Sequence, residues 1–214
     1  ALARGGTAFA FNHWVQIMEE QREKERLIAL EIEVKRIMQE SIRKNRSPIE
    51  KETLKTYLSS LTCIPAEISS QQMDIMCNDI DSVNVVGKSI LFLQGDFGNV
   101  YYIIARGEVQ LYLEKSKDKE MEIGREFGNQ RGVPYEGDFD NDIPNLGINI
   151  VTLKAGQGFG EFAILSTTGK LRMCAAVAST DDTFLFVLDA PTYNSVLRQH
   201  HYRSKQLTTC TALL

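Results

Sequence analysis

Apolar and polar positions divide the chain into a helical first third and a β-rich remainder. Residues 18–44 contain neither Gly nor Pro and are dense in Glu, Lys, Arg, Leu and Ile, which predicts a long charged helix. Five of its positions follow the alternating spacing of three and four that is typical of a coiled-coil seam. These positions are Leu27, Leu30, Val34, Ile37 and Ser41. The seam is short, so two interpretations stay open: the helix packs this face on its own domain or on a neighbour, or it forms a dimerising coiled coil.

Further helices are predicted on both sides of the β-rich region. Ser47 before Pro48, followed by Glu50, is typical of a helix N-terminus, and the helix that it opens extends through Lys51 to Leu61. A third helical stretch is predicted at 66–78. The last helix is predicted after Asp189, whose carboxylate is a suitable N-cap.

The β-rich region begins at Val83 with short apolar runs separated by glycines, which predicts a sandwich or a small barrel. From about 114 to 147 the chain becomes polar and acidic, which predicts a long hairpin insertion between two strands. Asp138, Asp140 and Asp142 alternate there as at the start of a calcium-binding loop. The residues that follow lack the rest of that pattern, so a solvated loop is favoured over a calcium site.

Composition narrows the classes of function. With 24 Lys and Arg against 28 Asp and Glu, the net charge is −4, which argues against a nucleic acid or an anionic membrane as partner. No apolar run is long enough to predict a membrane span. The four cysteines lie far apart without a C-x-x-C pair, which favours a reducing compartment, and we expect a cytoplasmic protein. All three histidines lie outside the β-rich region and no nucleophile has a base nearby, so neither a metal site nor an enzyme is predicted.

One segment combines groups that suit a ribose phosphate. Residues 156–165, GQGFGEFAIL, place a glycine-rich turn before a short helical segment whose first backbone amides are suited to an anion. Glu161 stands at the start of this segment and Arg172 lies just beyond it. A carboxylate accepts from sugar hydroxyls, and a guanidinium binds a phosphate through two parallel donors. The simpler alternatives are that Glu161 complements the helix dipole and that Arg172 pairs with a carboxylate in an empty pocket.

The same residues carry a resemblance to a known family. FGEFAIL, followed by Arg172 and small residues, resembles the phosphate-binding cassette of cyclic nucleotide-binding domains, as in cAMP-dependent kinase regulatory subunits, catabolite activators and cyclic-nucleotide-gated channels. The upstream run SILFLQGDFGNVYYIIARGEVQLYL is similar to the glycine-punctuated first strands of that family. The resemblance implies a mainly β fold with flanking helices: an eight-stranded, jelly-roll-like β-roll with a long charged helix before it and C-terminal helices after it.

The resemblance also implies roles for individual residues. Gly160 and Glu161 would bind the ribose 2′-hydroxyl, and Arg172 would bind the cyclic phosphate. Backbone amides near Ala163 and Ile164 would complete the phosphate cradle. The set of predicted ligand-binding residues is completed by Phe162, Met173 and Cys174.

Departures from the family pattern bear on the ligand. The segment between Glu161 and Arg172 is longer than in the family, and Leu171 stands where a Pro often precedes the arginine. Met173 replaces the Thr with which cGMP-selective members contact the guanine amino group, which favours cAMP over cGMP. Tyr202 is a candidate aromatic lid over the base, and an ordinary surface tyrosine is the alternative.

The expected organisation is an extended N-terminal segment and long charged helix at 1–46, a helical head at 47–80, and a β-roll with its acidic insertion and C-terminal helix at 81–214. The first predicted function is a regulatory module in which bound cyclic nucleotide moves the flanking helices. The second is a non-catalytic scaffold in which the helix at 18–44 joins a larger assembly, similar to members of the family found in cilia and sperm. A third is a segment of a larger enzyme or channel.

Overall fold

The computed structural model describes residues 4–41, 45–114, 146–166 and 170–200, with the side chains of the first helix from Phe11 onward. The helices are α1 (Arg4–Glu40), α2 (Pro48–Ser59), α3 (Ser70–Asp79), α4 (Glu161–Leu165) and α5 (Ala190–Val196). The strands are β1 (Asp81–Val85), β2 (Ile90–Phe92), β3 (Val100–Arg106), β4 (Glu108–Leu113), β5 (Ile148–Lys154), β6 (Gly158–Phe159), β7 (Ala175–Ala178) and β8 (Thr183–Asp189).

The eight strands of the described residues form two four-stranded sheets in which every neighbouring pair is antiparallel. The strand orders are β1-β8-β3-β6 and β2-β7-β4-β5. The expected β-roll with flanking helices is therefore confirmed. Strands β4 and β5 pair as a hairpin, with Leu113 opposite Ile148. The predicted insertion between them, with its three aspartates, lies outside the described residues.

Strand β3 is buried on both of its faces because it lies between two hydrophobic cores. Tyr101 and Ile103 pack in one core with the helices, whereas Tyr102 and Ile104 pack in a second core between the two sheets. Strand β8 alternates in the same way. Successive side chains of a strand point to opposite faces, so these two strands separate the helical layer from the interior of the β-roll.

Helix α1 packs its C-terminal third on the chain's own domain. Val34 and Ile37 are 0% and 1% exposed, and Leu30 packs against the same core, whereas Leu27 is 38% exposed. Leu30, Val34 and Ile37 of the predicted seam therefore pack on the same domain, which agrees with the first of the two interpretations. Within the described ranges, none of the helices is both long and apolar enough to cross a membrane.

Two helix boundaries differ from the sequence expectation. Helix α1 begins at Arg4 rather than at residue 18, so the expected extended N-terminal segment is wrong for the described residues. No proline interrupts residues 4–17, and a nucleated helix extends at little cost by one hydrogen bond per residue. Helix α3 begins at Ser70 rather than at residue 66, because Ser69 forms a capping box with Gln72.

The two predicted N-caps are confirmed. The Ser47 hydroxyl accepts a hydrogen bond from the Glu50 amide, and the Glu50 carboxylate accepts one from the Ser47 amide. The Asp189 carboxylate accepts a hydrogen bond from the Thr192 amide at 2.9 Å. Both caps satisfy amides that a helix N-terminus leaves without a partner.

The packing of α1 predicts a large loss of stability from its inner face. We expect Ile37→Ala, at a position 1% exposed, to lower the free energy of unfolding by about 2–5 kcal/mol through lost burial and the cavity left behind. Ile49→Ala, at a position 80% exposed, is the matched control and should change it by less than about 0.5 kcal/mol. Urea unfolding followed by circular dichroism measures both, and equal losses would contradict the packing of α1.

Candidate functional site

The predicted cassette connects β6 of one sheet to β7 of the other. Strand β6 ends at Phe159, the chain turns at Gly160, and α4 follows directly. Gly160 has φ +94°, a left-handed conformation that side chains with a Cβ rarely adopt. A Cβ on Gly160 would lie 2.5 Å from Nη1 of Arg172 and 3.2 Å from the carbonyl oxygen of Val100. Glycine is therefore required here both by the backbone and by the arginine beside it.

The Arg172 side chain links this turn to β3 through two hydrogen bonds. Its Nη1 donates to the Gly160 carbonyl at 2.9 Å, and its Nη2 donates to the Val100 carbonyl, at the start of β3, at 3.0 Å. The residue is only 2% exposed. The guanidinium thus lies inside the β-roll rather than in solvent.

Aromatic rings form the floor beneath the guanidinium. Its Cζ lies 4.2 Å from the ring centroid of Phe92 and 5.6 Å from that of Tyr102. Tyr102 in turn stacks on Phe159, with centroids 5.1 Å apart. Cation–π contacts of this kind partly replace lost hydration, because a ring face carries partial negative charge.

The electrostatic environment of Arg172 is unusual for a buried cation. Burial lowers its pKa, while Tyr102, Cys174, Asp96 and Glu161 favour its charged form. Among the described residues, Nε of Arg172 is buried without a hydrogen-bond partner, as are Oδ1 of Asn99 and the Tyr102 hydroxyl. Burial also raises the pKa of Tyr102 to about 12, so its phenol stays neutral. A permanently charged group is therefore held where neutral groups supply its hydrogen bonds.

The loop at 95–98, which was not predicted to belong to the site, forms hydrogen bonds with the backbone of Arg172. The Arg172 amide donates to the Asp96 carbonyl at 2.8 Å, and the Gly95 amide donates to the Arg172 carbonyl at 2.9 Å. A Cβ on Gly98 would lie 2.5 Å from Nε of Arg172 and 2.6 Å from Cβ of Ala163. The glycine spacing in Gly95-Asp96-Phe97-Gly98 is the signal that could have identified this loop.

The predicted ligand-binding residues differ in their exposure. Gly160, Glu161 and Arg172 lie at the same turn, and Glu161 is half-buried at the start of α4. Phe162 and Met173 are 58% and 62% exposed, so they lie on the outer surface of the cassette.

The remaining predicted residues lie inside the cassette or at its edge. Ala163 and Ile164 are buried in α4. Cys174 is half-buried, and burial raises the pKa of its thiol. Residues 167–169, in the segment predicted to be longer than in the family, and Tyr202, the candidate lid, lie outside the described residues. Among the residues that the structure describes, no three His, Cys, Asp or Glu side chains are grouped to hold a metal ion.

Known proteins share this architecture. Over 127 residues, 58% of this chain, the sequence is 35% identical to cyclic nucleotide-gated channel beta-1 of Homo sapiens, and the match covers 10% of that protein. A regulatory subunit of a cAMP-independent protein kinase A from Trypanosoma cruzi, bound to guanosine, matches with TM-score 0.54 and 14% identity, over 78% of this chain and 47% of that chain. The regulatory domain of Toxoplasma gondii PKA with cAMP matches with TM-score 0.53 and 14% identity, over 74% and 50%. No family model matches the sequence.

The chain therefore has the fold of a cyclic nucleotide-binding domain, as the resemblance of its cassette predicted. It spans 10% of the channel and 47% and 50% of the two kinase regulatory chains. Because cAMP is bound in one of these chains and guanosine in the other, the fold alone does not select a ligand.

The contact between Gly160 and Arg172 predicts a specific loss of stability. We expect Gly160→Ala to lower the free energy of unfolding by about 1–2 kcal/mol for the left-handed backbone, plus the cost of displacing the guanidinium. Gly95→Ala is the matched control, since Gly95 has φ +87° but open space where its Cβ would lie. Thermal or urea unfolding compares the two. Equal losses would contradict the position of Arg172 against the turn.

Proposed function

We propose that this chain is a cyclic nucleotide-binding regulatory module that prefers cAMP and is not catalytic. Arg172 would bind the cyclic phosphate, and Gly160 with Glu161 would bind the ribose 2′-hydroxyl. The observation that carries the proposal is the buried guanidinium of Arg172, whose hydrogen bonds go to neutral carbonyl groups. Two further points support the proposal. The cassette lies within the segment that resembles the family, and the fold is similar to that of a PKA regulatory domain with cAMP.

An anionic ligand would stabilise the buried charge of Arg172 more than a neutral ligand would. Its desolvation is compensated by carbonyls, rings and more distant carboxylates, and its pKa remains lowered. A hydrogen bond to an ionised acceptor is about twice as strong as one between neutral groups. The guanidinium fork matches two phosphate oxygens, and its Nε is a further donor that the described residues leave without an acceptor.

Ligand binding at this site requires a conformational change. Arg172 is 2% exposed, and its Nη1 is already bonded to the Gly160 carbonyl. A phosphate would have to displace this bond, which would release the turn that begins α4. We therefore propose that the cassette moves relative to β3 when the ligand binds, so that the ligand selects between two arrangements of the cassette.

The flanking helices are connected to the same strand. Val100 in β3 accepts from Arg172, and the next residue, Tyr101, packs its ring 4.9 Å from that of Tyr193 in α5. Nε2 of Gln72 in α3 donates to the carbonyl of Val196, the last residue of α5, at 3.3 Å. These contacts support a route by which a shift at the cassette reaches α5 and then the helical head.

The preference for cAMP rests on the residues after the arginine. Met173 has no hydroxyl and is 62% exposed, and Ala175 is buried and apolar. In the resembled family, a Thr at the position of Met173 contacts the guanine amino group of cGMP. Without such a group, cGMP gains no additional hydrogen bond over cAMP.

A second candidate function is a scaffold with a silent cassette. The burial of Arg172 favours it, because the guanidinium already holds β3 and the turn together without a ligand. Met173 does not fill the site, since it lies in solvent. In this case the module would act as a scaffold that binds other proteins of a larger assembly, such as one in cilia, through its surface.

Binding should depend on Arg172. We expect the full chain to bind cAMP in calorimetric titration and Arg172→Ala to weaken it by about 2–5 kcal/mol, because the phosphate would lose its charged partner. Arg172→Lys keeps the charge but loses the fork and should bind weakly as well. Lys170→Ala, which removes an exposed cation two residues away, is the control and should bind normally.

Further measurements keep this test decisive. Thermal unfolding of each variant separates lost binding from lost folding, and Glu161→Gln tests the ribose contact without touching the hydrogen bonds of Arg172. Titration with guanosine provides a ligand without phosphate. Binding of guanosine but not cAMP, or no heat with either, would overturn the proposal. If the cassette is coupled to α5, cAMP binding should change the hydrogen-exchange rates of the Val196 and Leu197 amides.

Ligand selectivity should respond to a single substitution. We expect Met173→Thr to strengthen cGMP binding about two- to tenfold relative to cAMP, since one added hydrogen bond contributes about 0.5–1.5 kcal/mol. Met173→Val has a similar branched shape without the hydroxyl and should leave the ratio of the two affinities unchanged. Competition with a fluorescent cyclic nucleotide measures this ratio. A shift of the same size in both variants would contradict the proposed contact.

A further inference from the structure

Helix α1 carries a second apolar stripe that faces away from its own domain. Phe11, Trp14, Ile28 and Ile32 are 62%, 55%, 56% and 58% exposed, and Met18 lies on the same line. Ile28 and Ile32 precede the packed residues Leu30 and Val34 by two positions each, which is about 200° of rotation around the helix. The stripe is therefore nearly opposite the face that packs on the domain. We call it the outer stripe.

The outer stripe has the spacing of a coiled-coil seam over a longer distance than the inner one. Its positions are separated by alternating steps of three and four through three heptads. They are Phe11, Trp14, Met18, Gln21, Glu25, Ile28 and Ile32. Five of the seven are apolar, and the two polar residues lie at the centre. This segment is about 32 Å long at the rise of an α-helix.

Charge makes a protein helix a better partner for this stripe than a lipid surface. Residues 11–32 contain five Glu against three Arg and Lys, so the segment is acidic. Helices that lie on anionic membranes are rich in Lys and Arg on their polar face. A narrow apolar line flanked by charged residues is instead the pattern of a helix that pairs with another helix.

The polar centre of the stripe distinguishes between orientations of two identical helices. In a parallel pair in register, Glu25 would face Glu25 of the other copy, and two like charges would meet. In an antiparallel pair with Trp14 against Ile32, Met18 falls against Ile28 and Gln21 against Glu25. The Gln21 amide can then donate to the Glu25 carboxylate of the other copy. Every apolar layer between residues 14 and 32 finds an apolar partner.

We infer that the outer stripe joins two copies of this chain as an antiparallel helix pair with this register. Such an interface is isologous, since each residue pair occurs twice around a two-fold axis. The domains lie on the opposite faces of their helices, and they would occupy the two outer sides of the pair. This inference is independent of nucleotide binding.

Sedimentation velocity on the full chain across the micromolar range tests the inference. We expect a reversible dimer, together with a blue shift of fluorescence on association, because Trp14 is the single tryptophan of the chain and would become buried. Met18→Lys and Ile28→Glu should each weaken the dimer at least about tenfold by placing one charge in an apolar layer. Ile49→Lys, on an exposed position of α2, is the control and should not change it.

The double variant M18K/I28E tests the orientation. In the antiparallel register the two new charges are opposite and adjacent, so the double variant should dimerise more tightly than either single one. In a parallel pair each new charge would face the same charge on the other copy, and the double variant would dimerise more weakly than either single variant. That result, a monomer at all concentrations, or a dimer unaffected by either single substitution would overturn the inference.

Discussion

The cassette depends on one buried cation. The Arg172 guanidinium bonds to the carbonyls of Gly160 and Val100 and lies over the ring of Phe92. Removing a cation from water is costly, and the protein recovers this cost with neutral dipoles and a ring face rather than with an adjacent carboxylate. The same arrangement gives the fold a tight turn and leaves a cation whose charge is incompletely compensated. Under the proposed function, structural support and affinity for an anion would come from the same side chain, which is why unfolding and binding must be measured separately at this site.

Strand β3 contacts both the cassette and the helical layer. Its residues alternate between a core shared with the helices and a core inside the β-roll. Neither layer can move far without disturbing a strand that is buried on both faces, because close-packed cores transmit displacement. The Val100 carbonyl, which accepts from Arg172, is thus one residue from Tyr101, whose ring packs on Tyr193 of α5.

Local signals in the sequence predicted much of this structure, whereas contacts between distant segments were not accessible. The caps at Ser47 and Asp189 and the glycine-separated strands depend on neighbouring residues, and each was found where the pattern indicated. The Arg172 partners could not be inferred, because Val100 lies 72 residues away and contributes only its backbone. The support from Gly98 is visible only once two loops are brought together.

Helix α1 illustrates the same limit. It contains two lines of apolar residues with spacings of three and four, and sequence periodicity alone does not say which line the domain covers. The structure decides it through Val34 and Ile37, which enter the core.

Ionic contacts between α1 and the β-roll accompany this packing. Glu31 and Lys35 on this helix form ion pairs with Arg106, the last residue of β3, and with Asp182, just before β8. Arg106 also pairs with Asp182. Partly exposed pairs of this kind contribute little to stability, so the buried Val34 and Ile37 remain the residues that position α1. Since Val100 and Arg106 are the two ends of β3, the strand that holds Arg172 also contacts α1.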